Sequence, residues 1–146
     1  MLFSKSFGYA IRALLYIATK SDEKKRVQID EIAAALKVPR FFLGKIMQEI
    51  AREGILDSTK GPYGGFSLNE RSLATSVMKI VKLTDGGGQF NNCILQLKKC
   101  NPDKPCSLHA KIEKNRAEFF RIFTDTTIGD LLNIDANALV ENFSSL

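Results

Sequence analysis

Residues 27–68 read VQIDEIAAALKVPRFFLGKIMQEIAREGILDSTKGPYGGFSL, and this stretch decides the fold of the 146-residue chain. Apolar residues recur in it at helical spacing in two runs, separated by a short turn through Lys37-Val38-Pro39. Such periodicity predicts two amphipathic helices that pack through their apolar faces. The positions concerned are Ile29, Ile32, Ala33 and Leu36 in the first run and Leu43, Ile46, Met47 and Ile50 in the second.

A hairpin is predicted directly after the second helix. Gly54 ends that helix, because glycine adopts the left-handed terminal conformation without strain. Short extended runs at residues 55–59 and 66–68 flank the turn-rich loop Lys60-Gly61-Pro62-Tyr63-Gly64-Gly65. A helix-turn-helix followed by a glycine-rich basic hairpin is typical of a winged-helix DNA-binding domain.

The composition excludes several classes of protein. With 45% hydrophobic and 25% charged residues, the chain has an ordinary globular composition and enough apolar material for a core. It has no apolar run of about 18 residues, so we expect no membrane span. The N-terminus lacks the pattern of a secretory signal, and we therefore expect a cytoplasmic protein. Since no Cys-x-x-Cys pair or catalytic constellation is present, we do not expect an enzyme.

Positive charge is concentrated in the half that contains the helix-turn-helix pattern. The net charge is +5. Residues 1–71 hold 12 Lys and Arg against 8 Asp and Glu, whereas residues 72–146 hold 9 against 8. Taken alone, this excess is equally compatible with a role in solubility. In combination with the motif, it favours an interaction with phosphates.

The outward face of the second helix is the side expected to enter the major groove, which is about 12 Å wide. Arg40 and Lys45 on that face are suited to phosphates or guanine acceptors. Phe41 fits a thymine methyl, although an aromatic side chain at such a position belongs more often to the core. Gly44 is unfavourable within a helix by about 1 kcal/mol relative to alanine, and it would allow a close approach to DNA. The expected DNA contacts are Lys5, Gln28, Arg40, Phe41, Gly44, Lys45, Lys60, Gly61, Tyr63 and Gly64.

All three cysteines and the only histidine lie within residues 93–109, at Cys93, Cys100, Cys106 and His109. An odd number of cysteines in a cytoplasmic chain argues against a disulfide framework. Three thiolates and one imidazole can complete four-coordination of a metal, and the set suits either zinc or an iron–sulfur cluster. The alternative is a group of scattered cysteines without a shared metal.

A long helix with a broad aromatic face is predicted after the cysteines. Pairing with the same helix of a second subunit would bury this face, and a two-fold dimer suits a palindromic DNA site. Packing on the first helix of the same chain is the competing explanation, and both can hold together. The helix is marked by Leu108, Ile112, Phe119, Phe120 and Phe123.

These features together resemble the Rrf2 family of bacterial transcription regulators, nearly from end to end. The resemblance implies a dimeric winged-helix regulator with the long helix at the dimer interface. It is carried by Tyr9-Ala10-Ile11-Arg12-Ala13-Leu14, Ile29-Asp30-Glu31-Ile32-Ala33, Phe42-Leu43-Gly44-Lys45-Ile46, Gly54-Ile55-Leu56, the wing from Lys60 to Leu68 and the cysteine loop ending Cys106-Ser-Leu-His109.

The resemblance also implies the type of cofactor. Cluster-bearing members of the family use three cysteines and a further ligand. In the branch of the iron–sulfur biogenesis regulator that ligand is a histidine just after the third cysteine, which His109 matches. In the nitric-oxide-sensing branch it is an acidic residue near the start of the first helix, where this chain has Ser6-Phe7-Gly8. A 2Fe-2S cluster is thereby favoured, with 4Fe-4S or zinc as alternatives. Six residues separate Cys93 from Cys100, where the family usually has five.

We therefore expect a mainly α fold, with a winged helix-turn-helix, a two-stranded wing and a long C-terminal dimerisation helix. The expected organisation is a DNA-binding domain at residues 1–86, a cysteine-containing cluster loop at 87–110, and the dimerisation helix with further C-terminal helices at 111–146. The expected function is that of a homodimeric repressor which binds a palindromic operator in double-stranded DNA and responds to its cluster. The alternatives are a regulator with a zinc site or a cluster-free thiol switch, a small redox enzyme, and a winged helix that binds only proteins.

Overall fold

The computed structural model describes residues 3–95 and 100–134, and its elements follow the order expected of a winged helix. The last of the C-terminal helices expected within residues 111–146, at residues 136–143, lies outside the described residues. The helices are α1 (Lys5–Lys20), α2 (Ile29–Leu36), α3 (Arg40–Arg52), α4 (Val77–Asp85), α5 (His109–Asp125) and α6 (Ile128–Leu132), with strands β1 (Leu56–Thr59) and β2 (Gly65–Leu68) and a short 3-10 helix at Gly88–Phe90.

The helix-turn-helix is confirmed at the predicted place. Lys37 ends α2 in the left-handed conformation, with φ 54°, and the Val38 N–H donates to the Ala33 carbonyl at 3.0 Å. This turn directs α3 across α2, so that the apolar faces of both helices meet α1 in one core. The largest fully buried side chains of that core include Leu14, Leu15, Ile17, Ile32, Leu43, Met47 and Ile50.

The wing is attached to the segment that enters α2. Strands β1 and β2 pair antiparallel from Leu56 opposite Leu68 to Thr59 opposite Gly65. Val27 then exchanges two backbone hydrogen bonds with Phe66, at 2.9 and 2.8 Å. Gly65 is required at this junction, because its φ is +136° and a Cβ there would lie 2.6 Å from the Val27 carbonyl oxygen. The wing is therefore held beside the N-terminus of α2.

The C-terminal elements share the main core with the N-terminal helices. Ile128 at the start of α6 is fully buried among the side chains of α1. The Thr127 hydroxyl accepts from the Asp130 N–H and the Asp130 carboxylate accepts from the Thr127 N–H, which forms a capping box. These hydrogen bonds to Thr127 lower the pKa of Asp130. The described part of residues 111–146 thus packs directly on residues 1–86.

An aromatic cluster joins the start of α1 to α5. The rings of Phe3 and Phe123 stack at 4.9 Å between centroids, and Phe7 and Phe90 lie against them. Packing on the first helix of the same chain therefore accounts for Phe123. Part of the face of α5 stays exposed, at 46% for Phe119 and 43% for Phe120.

No helix within residues 3–95 and 100–134 combines the length and the apolar character that crossing a membrane requires.

A contact between α1 and α2 lowers the free energy of unfolding as the pH becomes strongly alkaline. The Tyr16 hydroxyl donates to the Glu31 carboxylate at 3.1 Å, and Glu31 also accepts from Lys24 at 2.7 Å. Burial, followed by the hydrogen bond to Glu31, raises the pKa of Tyr16 from 10.0 to about 12. The unfolded chain therefore loses this proton first, and the contribution of Tyr16 is present below pH 10 and lost as the pH rises towards 12.

We expect the free energy of unfolding of Tyr16→Phe to fall less than that of the parent protein as the pH rises from 10 towards 12. Urea unfolding of both proteins at a series of pH values from 8 upwards measures the difference. Tyr63→Phe serves as the control, because Tyr63 is 90% exposed. Parallel stability curves for the parent and Tyr16→Phe would show that the folded state does not hold the Tyr16 proton.

Candidate nucleic-acid interface and metal centre

A groove of about 680 Å³ runs between α3, the start of α2 and the wing. Eight of the ten residues expected to contact DNA line it, namely Gln28, Arg40, Phe41, Gly44, Lys45, Lys60, Gly61 and Gly64. The structure adds Arg52 from a later turn of α3, and Ser58 and Thr59 from the wing. The helix-turn-helix and the wing, which the sequence predicts separately, therefore line one groove.

The exposed face of α3 presents an aromatic ring and a cation together. Phe41 is 75% exposed, which rules out the core alternative for this residue. The Lys45 Nζ lies over the Phe41 ring, 4.6 Å from its centroid, which is a cation–π distance. Phe41 is excluded from the core because Leu43, Ile46 and Met47 already occupy the inward face of the helix. A Cβ at Gly44 would meet no atom within 4 Å, so the protein's own packing does not require a glycine there.

Arg40, the first residue of α3, forms an ion pair with Asp30 in the first turn of α2. The contact joins the Arg40 Nε to an Asp30 carboxylate oxygen, and both side chains are more than 60% exposed. Both residues line the groove. Sequence reasoning missed Asp30, because the pairing depends on how the turn places two helices and not on a local spacing.

The basic loop before α2 is fastened to the wing. The Arg26 Nε donates to the Thr59 hydroxyl at 3.1 Å, and the Gln28 amide donates to the Pro62 carbonyl at 2.7 Å. Lys24 and Lys25 precede these contacts and share a second, smaller depression with Tyr63. The sequence gives no local signal that this charged run meets the wing, because its position follows from the pairing of Val27 with Phe66.

Two of the expected DNA contacts do not line the groove. Tyr63 is 90% exposed at the tip of the wing. Lys5 lies at the start of α1, on the wall of a separate and largely apolar cavity of about 730 Å³. That cavity lies between α1 and α5, and Arg12 and Lys37 also line it.

Among the four expected metal ligands, Cys100 and His109 are in contact. The Cys100 Sγ lies 3.1 Å from the His109 Nδ1. The other ring nitrogen, Nε2, lies 2.8 Å from a carboxylate oxygen of Glu113, one helical turn further along α5. Glu113 was not singled out from the sequence, although its spacing of four residues from His109 on a helix is a readable signal. The imidazole is therefore held at both nitrogens.

The other two cysteines do not form a closed site with this pair within the described residues. Cys93 is buried and lines one cavity with Ile112 and Phe119 of α5. Cys106 is half-buried and accepts a hydrogen bond from the His109 N–H through its carbonyl at 3.0 Å. The loop is drawn together by the Cys100 N–H, which donates to Asn91 at 3.3 Å, and by Arg116, which donates to the Asn92 carbonyl at 2.9 Å. In the described ranges, no three Cys, His, Asp or Glu side chains are grouped closely enough to hold a metal ion.

Comparison with known families gives a match over residues 3–134 to Rrf2, described as an iron-dependent transcriptional regulator. A putative HTH-type transcriptional regulator of Aquifex aeolicus is 38% identical over 141 residues, which cover 95% of this chain and 96% of the relative. The HTH-type transcriptional regulator NsrR of Geobacillus kaustophilus is 27% identical over 125 residues, covering 85% of this chain and 84% of the relative.

Solved structures with the same fold include CymR, the global cysteine regulator of B. subtilis, with a TM-score of 0.74 at 18% identity. That similarity covers 90% of this chain and 96% of the other. The T. potens IscR structure has a TM-score of 0.65 at 18% identity, over 90% of this chain and 85% of the other. At this level of identity the similarity establishes the fold, and it confirms the predicted mainly α winged helix with a two-stranded wing.

Proposed function

Because the chain belongs to the Rrf2 family of transcriptional regulators, which are not enzymes, we propose that it is a cluster-responsive repressor. In this proposal the groove between α3 and the wing binds double-stranded DNA. An iron–sulfur cluster held by Cys93, Cys100, Cys106 and His109 controls that binding. The observation that carries the DNA-binding part is the convergence of α3 and the wing on one basic groove.

The groove supports DNA binding through both shape and charge. The outward face of α3 carries Lys45, and Gly44 beside it leaves space into which a phosphate backbone or a base edge fits. Lys60 at the base of the wing loop is exposed and meets a second phosphate strand in this arrangement. Helix α3 enters the major groove, while the wing follows the adjacent backbone.

Dimerisation through α5 is the second part of the proposal. None of the described side chains of α5 is buried within the chain, and Phe119, Phe120 and Ile122 are each more than 40% exposed. A second copy of the chain would cover this apolar face and place two α3 helices on the half-sites of a palindromic operator. Residues 1–86 then read DNA, residues 87–110 hold the cofactor and residues 111–146 join the subunits.

The donor set fits an iron–sulfur cluster in its chemistry. His109 would hold the cluster through Nδ1, the atom that already faces the Cys100 sulfur, while Glu113 keeps Nε2 engaged. Cys93 and Cys106 would supply the remaining two thiolates. A bound cluster would supply a redox-active group at this place, with a reduction potential set by its ligands and by nearby hydrogen bonds. The resemblance of His109 to the histidine ligand of one branch of the family favours a 2Fe-2S cluster over 4Fe-4S.

The route from the cysteine segment to DNA would pass through α5. Phe90, which ends the 3-10 helix before Cys93, packs against Phe120 and Phe123 with centroids 5.6 and 6.0 Å apart. A rearrangement of residues 87–110 would therefore alter how α5 sits on α1 and on a partner subunit. A change of a few ångströms in the spacing of two α3 helices is enough to weaken specific binding.

A zinc site or a cluster-free thiol switch is the alternative for the cysteine segment. The observation that favours the thiol switch is that no three Cys, His, Asp or Glu side chains in the described ranges are grouped closely enough to hold a metal ion. Metal analysis of the anaerobically purified protein separates the two proposals, because stoichiometric zinc without iron would favour the alternative.

The DNA-binding proposal predicts a defined salt dependence. Affinity for DNA falls as the salt concentration rises. Each of Lys45→Ala and Lys60→Ala is expected to make the plot of log affinity against log salt less steep by about 1, because each variant removes one phosphate contact. Fluorescence anisotropy with a mixed-sequence duplex measures these slopes. Lys79→Ala is the control, since Lys79 lies on α4, pairs with Glu53 and does not line the groove. Equal slopes for all four proteins would reject the groove as the binding site.

A further inference from the structure

A carboxylate in the DNA-facing groove needs an explanation. Asp30 lines the groove from the first turn of α2, and its side chain is 68% exposed. A negative charge at this place repels phosphates and lowers the affinity of the groove for any DNA. The N-terminus of α2 accommodates the charge favourably, but Glu31 beside it also serves that purpose. The contact that distinguishes Asp30 is its ion pair with Arg40.

The atoms of that ion pair determine which hydrogen-bond donors of Arg40 remain available to DNA. Asp30 engages the Nε of Arg40, and no other partner is recorded for the guanidinium within the described residues. The two terminal nitrogens therefore remain as a pair of parallel donors. Two such donors match the O6 and N7 acceptors on the major-groove edge of guanine. Arg40 is also the first residue of α3, and the first turn of a recognition helix is the part that meets base edges.

We propose that Asp30 is a positioning residue for base recognition, which holds Arg40 so that its terminal nitrogens read a guanine in each half-site. The inference rests on the proposed DNA-binding function and adds a specificity to it. An unpaired arginine in the first turn would be free to swing to a phosphate, where it contributes affinity without sequence information. Asp30 disfavours a contact of Arg40 with phosphate for two reasons. It fixes the Nε of Arg40, and its own negative charge repels a phosphate.

The test is selection of binding sequences from a random duplex library, with the same purification for every variant. The parent protein is expected to enrich a guanine at one position of each half-site. Arg40→Ala is expected to lose the preference at that position alone. Asp30→Asn is expected to weaken the same preference at least about fivefold, while its affinity for mixed-sequence DNA rises. A structural role of Asp30 would not change one base position selectively.

Glu49→Gln is the matched control, because Glu49 is another carboxylate that lines the groove, about two and a half turns further along α3. It is expected to raise the affinity for mixed-sequence DNA and to leave the guanine preference intact. An unchanged preference in Asp30→Asn, or in Arg40→Ala, overturns the inference while the DNA-binding proposal stands. A parent protein that enriches no duplex at all rejects the DNA-binding proposal itself.

Discussion

Replacement of Cys106 by alanine is expected to abolish the visible absorption of the protein after anaerobic reconstitution with iron and sulfide. The variant lacks one of the four proposed ligands, and protein thiolates are what hold an iron–sulfur cluster in place. The helix that carries His109 should be unaffected, because Cys106 holds its N-terminus through a backbone carbonyl, 3.0 Å from the His109 N–H. The loss is therefore chemical, and circular dichroism is expected to match that of the parent protein.

Ser107→Ala is the control for this prediction, since Ser107 is the adjacent exposed residue and carries no proposed ligand. It should bind iron with the parent stoichiometry. Full absorption in Cys106→Ala would remove Cys106 from the ligand set and with it the proposed arrangement of three thiolates and one imidazole. Iron and sulfide analysis of both variants checks the optical result independently.

The second large effect is expected from Gly64→Ala in the wing. A Cβ at this position would lie 2.0 Å from the Thr59 carbonyl oxygen, and the Lys60 carbonyl carbon is 2.8 Å away. Backbone atoms cannot yield at such distances, so the loop between β1 and β2 must open. Lys60 then leaves its place in the groove, and we expect the affinity for DNA to fall about tenfold or more. Anisotropy titrations at fixed salt measure this fall.

Gly8→Ala is the matched control for the glycine substitution. Gly8 lies within α1, and a Cβ there would meet no atom within 4 Å. The variant is expected to keep its affinity for DNA and to gain up to about 1 kcal/mol of stability from helix propensity. A Gly64→Ala protein that binds DNA like the parent, with the same salt dependence, would contradict the role assigned to the wing.

The elements of the DNA-binding motif were predictable because their signals are local. Apolar spacing fixes the inward faces of α2 and α3, and Gly54 with φ 74° follows α3 as expected of a terminal glycine. The wing was predicted from its glycines and its extended runs, and the strands deviate from those runs by one residue at their ends. Each of these features depends on residues close in sequence.

Contacts between distant residues were not predictable in the same way. The pairing of Arg40 with Asp30 and the contact of Arg26 with Thr59 both depend on how the turn and the wing are placed. Phe41 illustrates the limit of a composition rule, because aromatic residues are usually buried but this one is 75% exposed. Lys5 was expected to contact DNA, but it lies on the wall of the cavity between α1 and α5 and does not line the groove.

The cysteine segment was predictable in its donor types and not in its geometry. The sequence identifies three thiols and one imidazole as potential ligands. The distances between them depend on the path of a loop that has no periodic pattern. The structure brings Cys100 into contact with His109, whereas Cys93 is buried beside a cavity that α5 also lines. Glu113 was accessible from the sequence, because a carboxylate four residues after a histidine on a helix is a neighbour of that histidine.

The central claim is that occupancy of the cysteine segment decides how tightly the groove holds DNA. The most direct measurement is the dissociation constant for one selected duplex, determined anaerobically with cluster-loaded and cluster-free protein from the same preparation. The account predicts that the two constants differ by about tenfold or more, and that Cys106→Ala binds with the cluster-free constant under both conditions. Equal constants for the loaded and cluster-free protein would contradict it.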